Sequence, residues 1–509
     1  MSKRKRKNDN SIRVRFIGSS CIGVTGSCVS ISYIRDDLTK GLLFLDMGLP
    51  QGYSTTPLGQ YNDMERMVNA IKREYMNKDY SNINMVLSHV HIDHLGLTPI
   101  LNEDNGFNGK IYCSKNSRVL AKPMLEDCFK IHNSTVKYLK SRGKKKDLLY
   151  TSPQLYYSLS RFTDTPLNQE ISIDNNCKII LRPNCHTIDS VNITVIIKKP
   201  NTNRFVKILY TGDVGNTTNY SLSNYLTKQE IETKYDLVIS EATYSQKPEY
   251  KLTKKNIIEE MNNLKNRIET SIKDGRIVLM PNFSFSGSQQ MITYLYQWFK
   301  DNEYFINNNI NIVMDSNLML KINDCYLKIL ESKDKDLFEK IMNWKLLKKI
   351  NTYDGTVAFL THKKPCIILS SSGFMENGKI ECYLRSLICD SKCDIIVTRY
   401  CAKDCEGSMA WKLFNDKQKT ITFNGNNKAE RITVVKRCGL YNFYGFSGHA
   451  SYYQLLDMFS KFNTKKILLH HMENSKKEDF IKDAKEYLRN KNKTTQITAV
   501  GKDCYEFKL

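Results

Sequence analysis

The apolar positions of the chain fall into two styles. From Ile12 to about position 245 they form short runs broken by turn residues. Ile12 to Ile17, Cys28 to Tyr33 and Leu42 to Leu45 read as strands separated by glycine-rich turns. Further strands are predicted at Lys110 to Cys113, Ile179 to Arg182, Ile193 to Ile197, Val206 to Tyr210 and Leu237 to Ile239. Met64 to Tyr75 has the helical period. The later strands each stop just before a residue able to do chemistry. That pattern predicts a sheet-rich α/β region with functional residues on loops at strand ends.

The style changes near Lys247. Ile257 to Ile272 and Ser288 to Phe299 read as amphipathic helices, and Arg276 to Met280 as a strand ended by Pro281. Ile310 to Met314, Cys366 to Leu369 and Asp394 to Val397 read as buried strands. Alternating strands and helices predict a parallel or mostly parallel sheet. After about Ala429 short strands return, at Lys466 to Leu469 and near Cys504 to Phe507. No repeat or low-complexity linker separates the styles, so an inserted domain fits better than two domains in series. The expected boundaries are a basic disordered arm at 1–10, a first domain part at 11–246, an insert at 247–430 and a return at 431–509.

Composition narrows the class. A chain of 509 residues that is 41% apolar is expected to build two or more globular domains. No apolar run approaches the ~18 residues of a membrane span. The Met1-Ser2-Lys3-Arg4-Lys5-Arg6-Lys7 start lacks the apolar stretch of a secretory signal. Fifteen scattered cysteines imply a reducing, intracellular setting. The expected location is cytoplasmic, with the basic arm leaving the nucleus open. Cys389/Cys393 and Cys401/Cys405 are weak metal signals by spacing. The formal charge of +23 will draw the chain to polyanions, nucleic acid above all. A local basic run lies at Lys140-Ser141-Arg142-Gly143-Lys144-Lys145-Lys146.

The chemistry concentrates at Ser88-His89-Val90-His91-Ile92-Asp93-His94, after the apolar run Ile83 to Leu87. The chain has only nine histidines, so three in one loop is not compositional noise. Imidazole and carboxylate suit Zn²⁺ and similar divalent ions. In an extended segment His89, His91 and Asp93 project to one side and His94 to the other. One loop can thereby serve two adjacent metals, as in two-metal hydrolases. His186, Asp213 in Tyr210-Thr211-Gly212-Asp213, and His471 also follow apolar strands. Each is weak alone; together they complete a two-metal site.

This set resembles the metallo-β-lactamase fold, and the resemblance covers nearly the whole chain from about Ile12. Its five motifs look like Asp46 in Leu45-Asp46-Met47-Gly48, the His89 to His94 loop, His186, Asp213 and a distal ligand. The insert resembles the β-CASP cap of the nucleic-acid-processing branch. Glu241 in Ser240-Glu241-Ala242-Thr243-Tyr244, His449 in Gly445-Phe446-Ser447-Gly448-His449-Ala450 and His471 in His471-Met472-Glu473 look like that branch's three cap motifs. The implied fold class is an αββα metallo-β-lactamase sandwich with an inserted β-CASP α/β cap. Val24 to Cys28, Leu149-Tyr150-Thr151, Asp315-Ser316 and Ser370-Ser371-Ser372-Gly373 are similar to the stand-alone bacterial and archaeal ribonucleases of the branch. Histidine as the third cap motif resembles the RNA-directed members, which include the cleavage-and-polyadenylation endonuclease.

The resemblance implies a ribonuclease with two Zn²⁺, Mn²⁺ being the alternative. His89, His91 and His186 would hold one ion and Asp93, His94 and His471 the other, with Asp213 bridging. A shared hydroxide would attack phosphorus in line, with Asp93, Glu241 and His449 as catalytic residues, leaving 3′-hydroxyl and 5′-phosphate ends by endonucleolytic or 5′-exonucleolytic cleavage. Asp46 is expected to orient a ligand imidazole. Substrate contacts are expected at Ser372, Gly373, Tyr400, Gly407 and Ser408. RNA is the expected partner, with no membrane, and a homodimer or processing-complex partner stays open. Two departures lie where a phosphate backbone would pass. The usual arginine after Pro281-Asn282-Phe283 is missing, though Gln289 is kept, and the Arg399-Tyr400 to Gly407-Ser408 loop is about two residues longer than usual. A DNA nuclease of the same fold and a non-catalytic RNA-binding partner are the competing functions. Every ligand position is filled, which argues against the silent one.

Overall fold

The computed structural model describes residues 11–21, 23–52, 54, 56–76, 78–216, 225–248, 254–361, 363–373, 375, 378–398, 409–415, 419–424, 431–443, 445–473, 475, 477–501 and 505–509. The basic arm, Tyr400, Gly407, Ser408, Cys401 and Cys405 lie outside them. The chain divides into two compact units, Met1–Thr217 with Ser221–Glu249 and His449–Leu509, and Tyr250–Gly448 with Thr218–Tyr220.

The first unit holds two seven-stranded sheets. One runs in the order Glu506–Lys508, Arg13–Phe16, Val29–Ile34, Lys40–Leu45, Asn82–Val86, Ile111–Cys113 and Phe162–Asp164. The other runs Gln496–Ala499, Lys466–Met472, Leu237–Ala242, Phe205–Tyr210, Val191–Lys198, Cys177–Pro183 and Ile171–Ser172. Their facing sides make one core. Val14, Phe16, Ile31, Leu43, Leu45 and Val86 from the first sheet pack with Ile179, Ile193, Val195, Ile208, Ile239 and Leu468 from the second. The strand period of two sends neighbouring residues to opposite faces. Leu209, Val238, Ile467 and Leu469 thus turn outward, under Leu455, Phe459, Phe480 and Leu488 of the helices Tyr452–Lys461 and Lys477–Asn490. On the first sheet's outer side, Phe44 meets Tyr75 of the helix Pro57–Tyr75 edge-on at 6.0 Å. Helices outside two packed sheets make the αββα sandwich. Each buried Leu, Ile, Val or Phe side chain contributes about 1.5–3 kcal/mol.

The second unit is built on a six-stranded sheet in the order Leu347–Ile350, Asn311–Asp315, Cys366–Ser370, Ile277–Pro281, Cys393–Val397 and Gly439–Asn442, in which every pair is parallel. The near-continuous apolar runs Ile277–Pro281 and Cys366–Ser370 are buried along their length, as both faces of a parallel sheet are covered. Gly439–Asn442 completes this sheet, so the insert extends to Gly448 and does not end at 430. Near the amino end, the unit boundary falls at Glu249.

Two expectations fail locally. The 27-residue helix Lys115–Ser141 has no counterpart in the sequence reading. Pro123 interrupts its pattern, yet lies among the residues buried in the helix. The strand expected at Arg276 to Met280 runs instead over Ile277–Pro281, with Pro281 as its last residue, where a missing N–H is tolerated. No helix among the described residues is long and apolar enough to cross a membrane.

Candidate metal centre

The site lies where strands of both sheets in the first unit end. Asn82–Val86 runs into Leu87 and the His89 loop, which is extended only as far as His91. Ile92–Leu95 is a short helix with His91 at its N-cap. Backbone bonds from a distant segment fix that turn: Met47 N–H donates to His94 O at 2.7 Å, Leu49 N–H to Ile92 O at 2.9 Å and Ser27 N–H to Asp93 O at 2.8 Å. A Cβ at Gly48 would sit 1.6 Å from Asp93 O, so only glycine permits this approach. The turn corrects the period-two expectation. Asp93 does not share a side with His89 and His91; it joins His94.

Two groups of ligand atoms result. His89 Nε2 and His186 Nε2 lie 3.0 and 3.1 Å from His91 Nδ1, and Asp213 Oδ2 lies 3.7 Å from both His89 and His186. In the second group His94 Nε2 is 3.2 Å from Asp213 Oδ1, and His471 Nε2 is 3.3 Å from Asp93 Oδ2. Asp213 faces one group with each oxygen. A tetrahedral ion with ligands at ~2.0–2.1 Å keeps them about 3.3 Å apart, so these separations fit metal polyhedra. His94 Nε2 and Asp213 Oδ1 are also buried and have no hydrogen-bond partner among the described residues, as donor atoms suited to a metal would. Burial holds His89 well below its ordinary pKa and lowers His91 to about 4, so both rings are neutral donors. Burial opposes charge on His94, but Asp213 and Asp46 outweigh it and raise its pKa well above the usual range. A metal cation on Nε2 would answer the same carboxylates.

Outer partners aim these rings. Asp46 is fully buried and accepts from His94 Nδ1, Ser88 N–H, Ser88 Oγ and Tyr210 Oη, all at 2.7 Å. It sits at φ 57°, a left-handed conformation that costs about 1–3 kcal/mol and recurs at functional sites. His471 is the unpaired residue of a bulge: Glu241 pairs with His470 and Ala242 with Met472, leaving His471 at φ 50° between them. Its Nδ1 lies 2.9 Å from Thr243 Oγ1 and 3.5 Å from Asp213 Oδ1. The shorter contact makes Thr243 the partner and leaves Nε2 as ligand atom. Gly212, at φ +52°, brings the Asp213 loop against Ser88, where a Cβ would lie 2.7 Å from the serine Cβ.

Sequence reasoning missed three supports. Asp189 accepts from Val90 N–H at 3.0 Å, Ser117 Oγ at 2.8 Å and Thr187 Oγ1 at 2.6 Å, pinning the loop between His89 and His91. Burial lifts its carboxyl to about 6 against those donors. Asn184 Nδ2 donates to Thr211 O and Asp213 O at 2.7 Å and so ties the His186 loop to the Asp213 loop. Thr243 is the third. An Asn, Asp or Thr beside a strand end usually signals only a turn, so none stood out.

Glu241 and His449 also meet. Glu241, buried in Leu237–Ala242, faces His449 Nδ1 at 3.3 Å through Oε1, while Oε2 takes Thr243 N–H at 3.1 Å and the Thr243 hydroxyl. Val214 N–H donates to Oε1 at 2.5 Å. His449 is held by a bridge to Gly215, with Ala450 N–H on Val214 O at 2.7 Å, and its Nδ1 is 3.9 Å from Asp213 Oδ2. Its side chain keeps 22% exposure, unlike the candidate ligands His89 and His94 at 0%. Burial would lower its pKa, but Glu241 and Asp213 reverse this and raise it to about 9.

Of the expected substrate contacts, Ser372 and Gly373 follow Cys366–Ser370 at the carboxyl end of the second unit's sheet, the side of such sheets that binds ligands. Ser371 Oγ donates to Ser316 Oγ there at 2.7 Å. Gln289, kept where the arginine is lost, donates to Ser284 O and Asn323 Oδ1.

The two packed sheets with outer helices and the His/Asp donor set match the metallo-β-lactamase fold. Residues 288–413 match the Beta-Casp domain, and residues 433–495 match the Zn-dependent metallo-hydrolase RNA specificity domain. In these two segments the chain is similar to the β-CASP metallo-hydrolases. It is 23% identical over 403 residues to the endoribonuclease YSH1 of Eremothecium gossypii, covering 78% of this chain and 49% of that one. It is 24% identical over 456 residues to an RNase J-like protein of Methanocaldococcus jannaschii, covering 87% and 91%. It is 26% identical over 405 residues to the transcription termination factor FttA of a Lokiarchaeum, covering 77% and 58%. The chain spans about half the length of the fungal relatives it matches. A crystal structure of a protein of unknown function from Enterococcus faecalis shares the fold, with TM-score 0.51 and 13% identity over 98% of this chain and 100% of that one.

Proposed function

We propose that the chain is a metal-dependent ribonuclease that hydrolyses phosphodiester bonds, with 3′-hydroxyl and 5′-phosphate ends as products. The observation that carries this reading is Asp213, whose two oxygens face two separate groups of buried or half-buried donors. His89, His91 and His186 would hold one zinc ion, and Asp93, His94 and His471 the other, with Asp213 shared. Bound ions of this kind acidify water and stabilise charge on a phosphoryl group. The direction towards RNA is supported by the RNA specificity domain, by relatives named as endoribonucleases and by the +23 charge.

The chain's own residues have distinct tasks. Asp46 fixes the His94 ring through Nδ1, and Thr243 fixes His471. Water attacks phosphorus, the bond to the ribose 3′ oxygen breaks, and that oxygen needs a proton. His449 is placed to supply it: partly exposed, beside Asp213, with Nδ1 held by Glu241 so that Nε2 can face substrate. Ser372, Gly373, Tyr400, Gly407 and Ser408 remain the proposed contacts to the RNA backbone. We place the enzyme in the cell interior, as a partner of RNA and of RNA-processing assemblies.

The test is metal content together with cleavage of labelled RNA and DNA of one sequence. The expected result is close to two ions per chain and RNA cleavage abolished by chelator. Cleavage persisting in chelator would sink the metal mechanism, and preference for DNA would redirect the substrate.

A further inference from the structure

The helix missed by sequence pattern carries an arrangement of its own. Lys115–Ser141 has 27 residues, which at 1.5 Å each gives a rod of about 40 Å. Its buried side is formed by Leu120, Ala121, Met124, Leu125, Cys128, His132, Val136 and Leu139. It has six basic residues: Lys115, Arg118, Lys122, Lys130, Lys137 and Lys140. At 3.6 residues per turn these six fall within roughly 120° of the helix circumference, on the side away from the core. All six are exposed. The stripe continues past the helix end through exposed Arg142, Lys144 and Lys145.

A solvated helix face usually mixes signs at i and i+4. Here one acidic residue, Glu126, falls within the stripe, four residues from both Lys122 and Lys130, and it lies 4.0 Å from Lys122. Arg118 meets Asp164 and Lys140 meets Asp147, both exposed pairs of little energetic weight. Among the described residues Lys115, Lys130 and Lys137 have no acidic partner within ion-pair distance.

The stripe also has a fixed origin. Ser117 Oγ on the helix's first turn donates to Asp189 Oδ2 at 2.8 Å, and that oxygen takes the Val90 N–H between His89 and His91 at 3.0 Å. Ser114, the N-cap, donates to Asp189 O at 3.0 Å. One end of the basic rod is therefore bonded to the metal loop, and the other lies about 40 Å away.

We propose that this helix and its following loop form a track for the RNA outside the stretch being cleaved, with phosphates laid along the basic stripe. The proposal rests on the ribonuclease reading. A 40 Å track matches about 12 stacked nucleotides at 3.4 Å per nucleotide. Affinity gained there would favour long RNA over short RNA without touching the chemistry.

The test compares the full chain with a Lys130→Gln, Lys137→Gln, Lys144→Gln, Lys145→Gln variant. Anisotropy titrations with a labelled 30-nucleotide RNA and a 6-nucleotide RNA are run across salt concentration. Removing four phosphate contacts should flatten the log K against log salt slope for the long RNA by about 3 and weaken its Kd roughly ten- to a hundredfold at physiological salt. The short RNA should bind and be cleaved as by the unaltered chain. Unchanged slope and affinity for the long RNA overturn the track, whatever else the stripe binds. Equal losses for both lengths overturn it too, because the lysines would then act at the cleavage site. If the unaltered chain binds neither RNA, the ribonuclease reading itself falls.

Discussion

Thr243 offers the sharpest test of how the second donor group is built. Its hydroxyl lies 2.9 Å from His471 Nδ1 and also bonds the buried Glu241 carboxylate. The polarity is determined. The carboxylate can only accept, so the hydroxyl donates to it and accepts from His471 N–H, which leaves Nε2 as the ligand atom. Thr243→Val keeps the shape and deletes the relay. His471 Nδ1 then has only Asp213 Oδ1 at 3.5 Å, and Glu241 Oε2 keeps only the backbone N–H at 3.1 Å. A hydrogen bond to a charged group is worth about 1.5–3 kcal/mol. Loss of a partner behind a metal ligand weakens the ion 10–100-fold, or about 1.4–2.7 kcal/mol. The two scales agree. Competition with a zinc chelator, read by metal analysis, should show one ion held as in the unaltered chain and one held 10–100-fold more weakly. Thr243→Ser should restore it. Two ions bound at the original affinity by Thr243→Val, or Ser as weak as Val, would refute the relay.

Asp46→Asn should also weaken the second ion about 10–100-fold, since the amide cannot serve four donors at once; metal analysis after dialysis reads this directly. His449→Ala should retain both ions and bind RNA normally, yet lose roughly 10²–10⁴ in rate. A nitrophenyl phosphodiester, whose leaving group needs no proton, should spare that variant, and an equal defect on both substrates would exclude His449 as proton donor. Zinc at a hundredfold excess over its Kd should stabilise the fold by about 2.7 kcal/mol per site, seen as a raised Tm that chelator reverses.

The candidate ligands were legible because metal chemistry restricts the residue types, and a loop with three imidazoles and a carboxylate has few other uses. Their grouping was legible only through the resemblance, which put Asp93 with His94 and His471. Period two placed Asp93 with His89 and His91, whereas contacts from Met47 and Leu49, some 45 residues away, turn the chain at Ile92. Local pattern cannot report a bond made by a distant backbone. The first unit was visible as short strands broken by turns and the insert as strands alternating with amphipathic helices, while the αββα arrangement came from the resemblance. Its far edge was misplaced because Gly439–Asn442 is a short strand half-buried throughout, and only its pairing with Cys393–Val397 assigns it. Lys115–Ser141 was hidden by Pro123, although its basic residues already keep helical spacing.

Two buried carboxylates explain why the centre needs both sheets. Asp46 follows Lys40–Leu45 of the first sheet and directs His94. Glu241 ends a strand of the second and directs His471 through Thr243 and His449 directly. Asp46 also accepts from Tyr210 Oη at 2.7 Å, so its bonds join the two layers. The insert also has a defined relation to this pair. Glu241 lies shortly before the chain leaves the first unit at Glu249, and His449 is the residue at which it returns. The bridge from Gly215 to His449 and the bond from Ala450 to Val214 fix the returning strand beside Asp213. The candidate ligands of the His89 loop, His186 and Asp213 are thus all supplied before the chain departs, whereas His449 and His471 belong to the segment that follows its return.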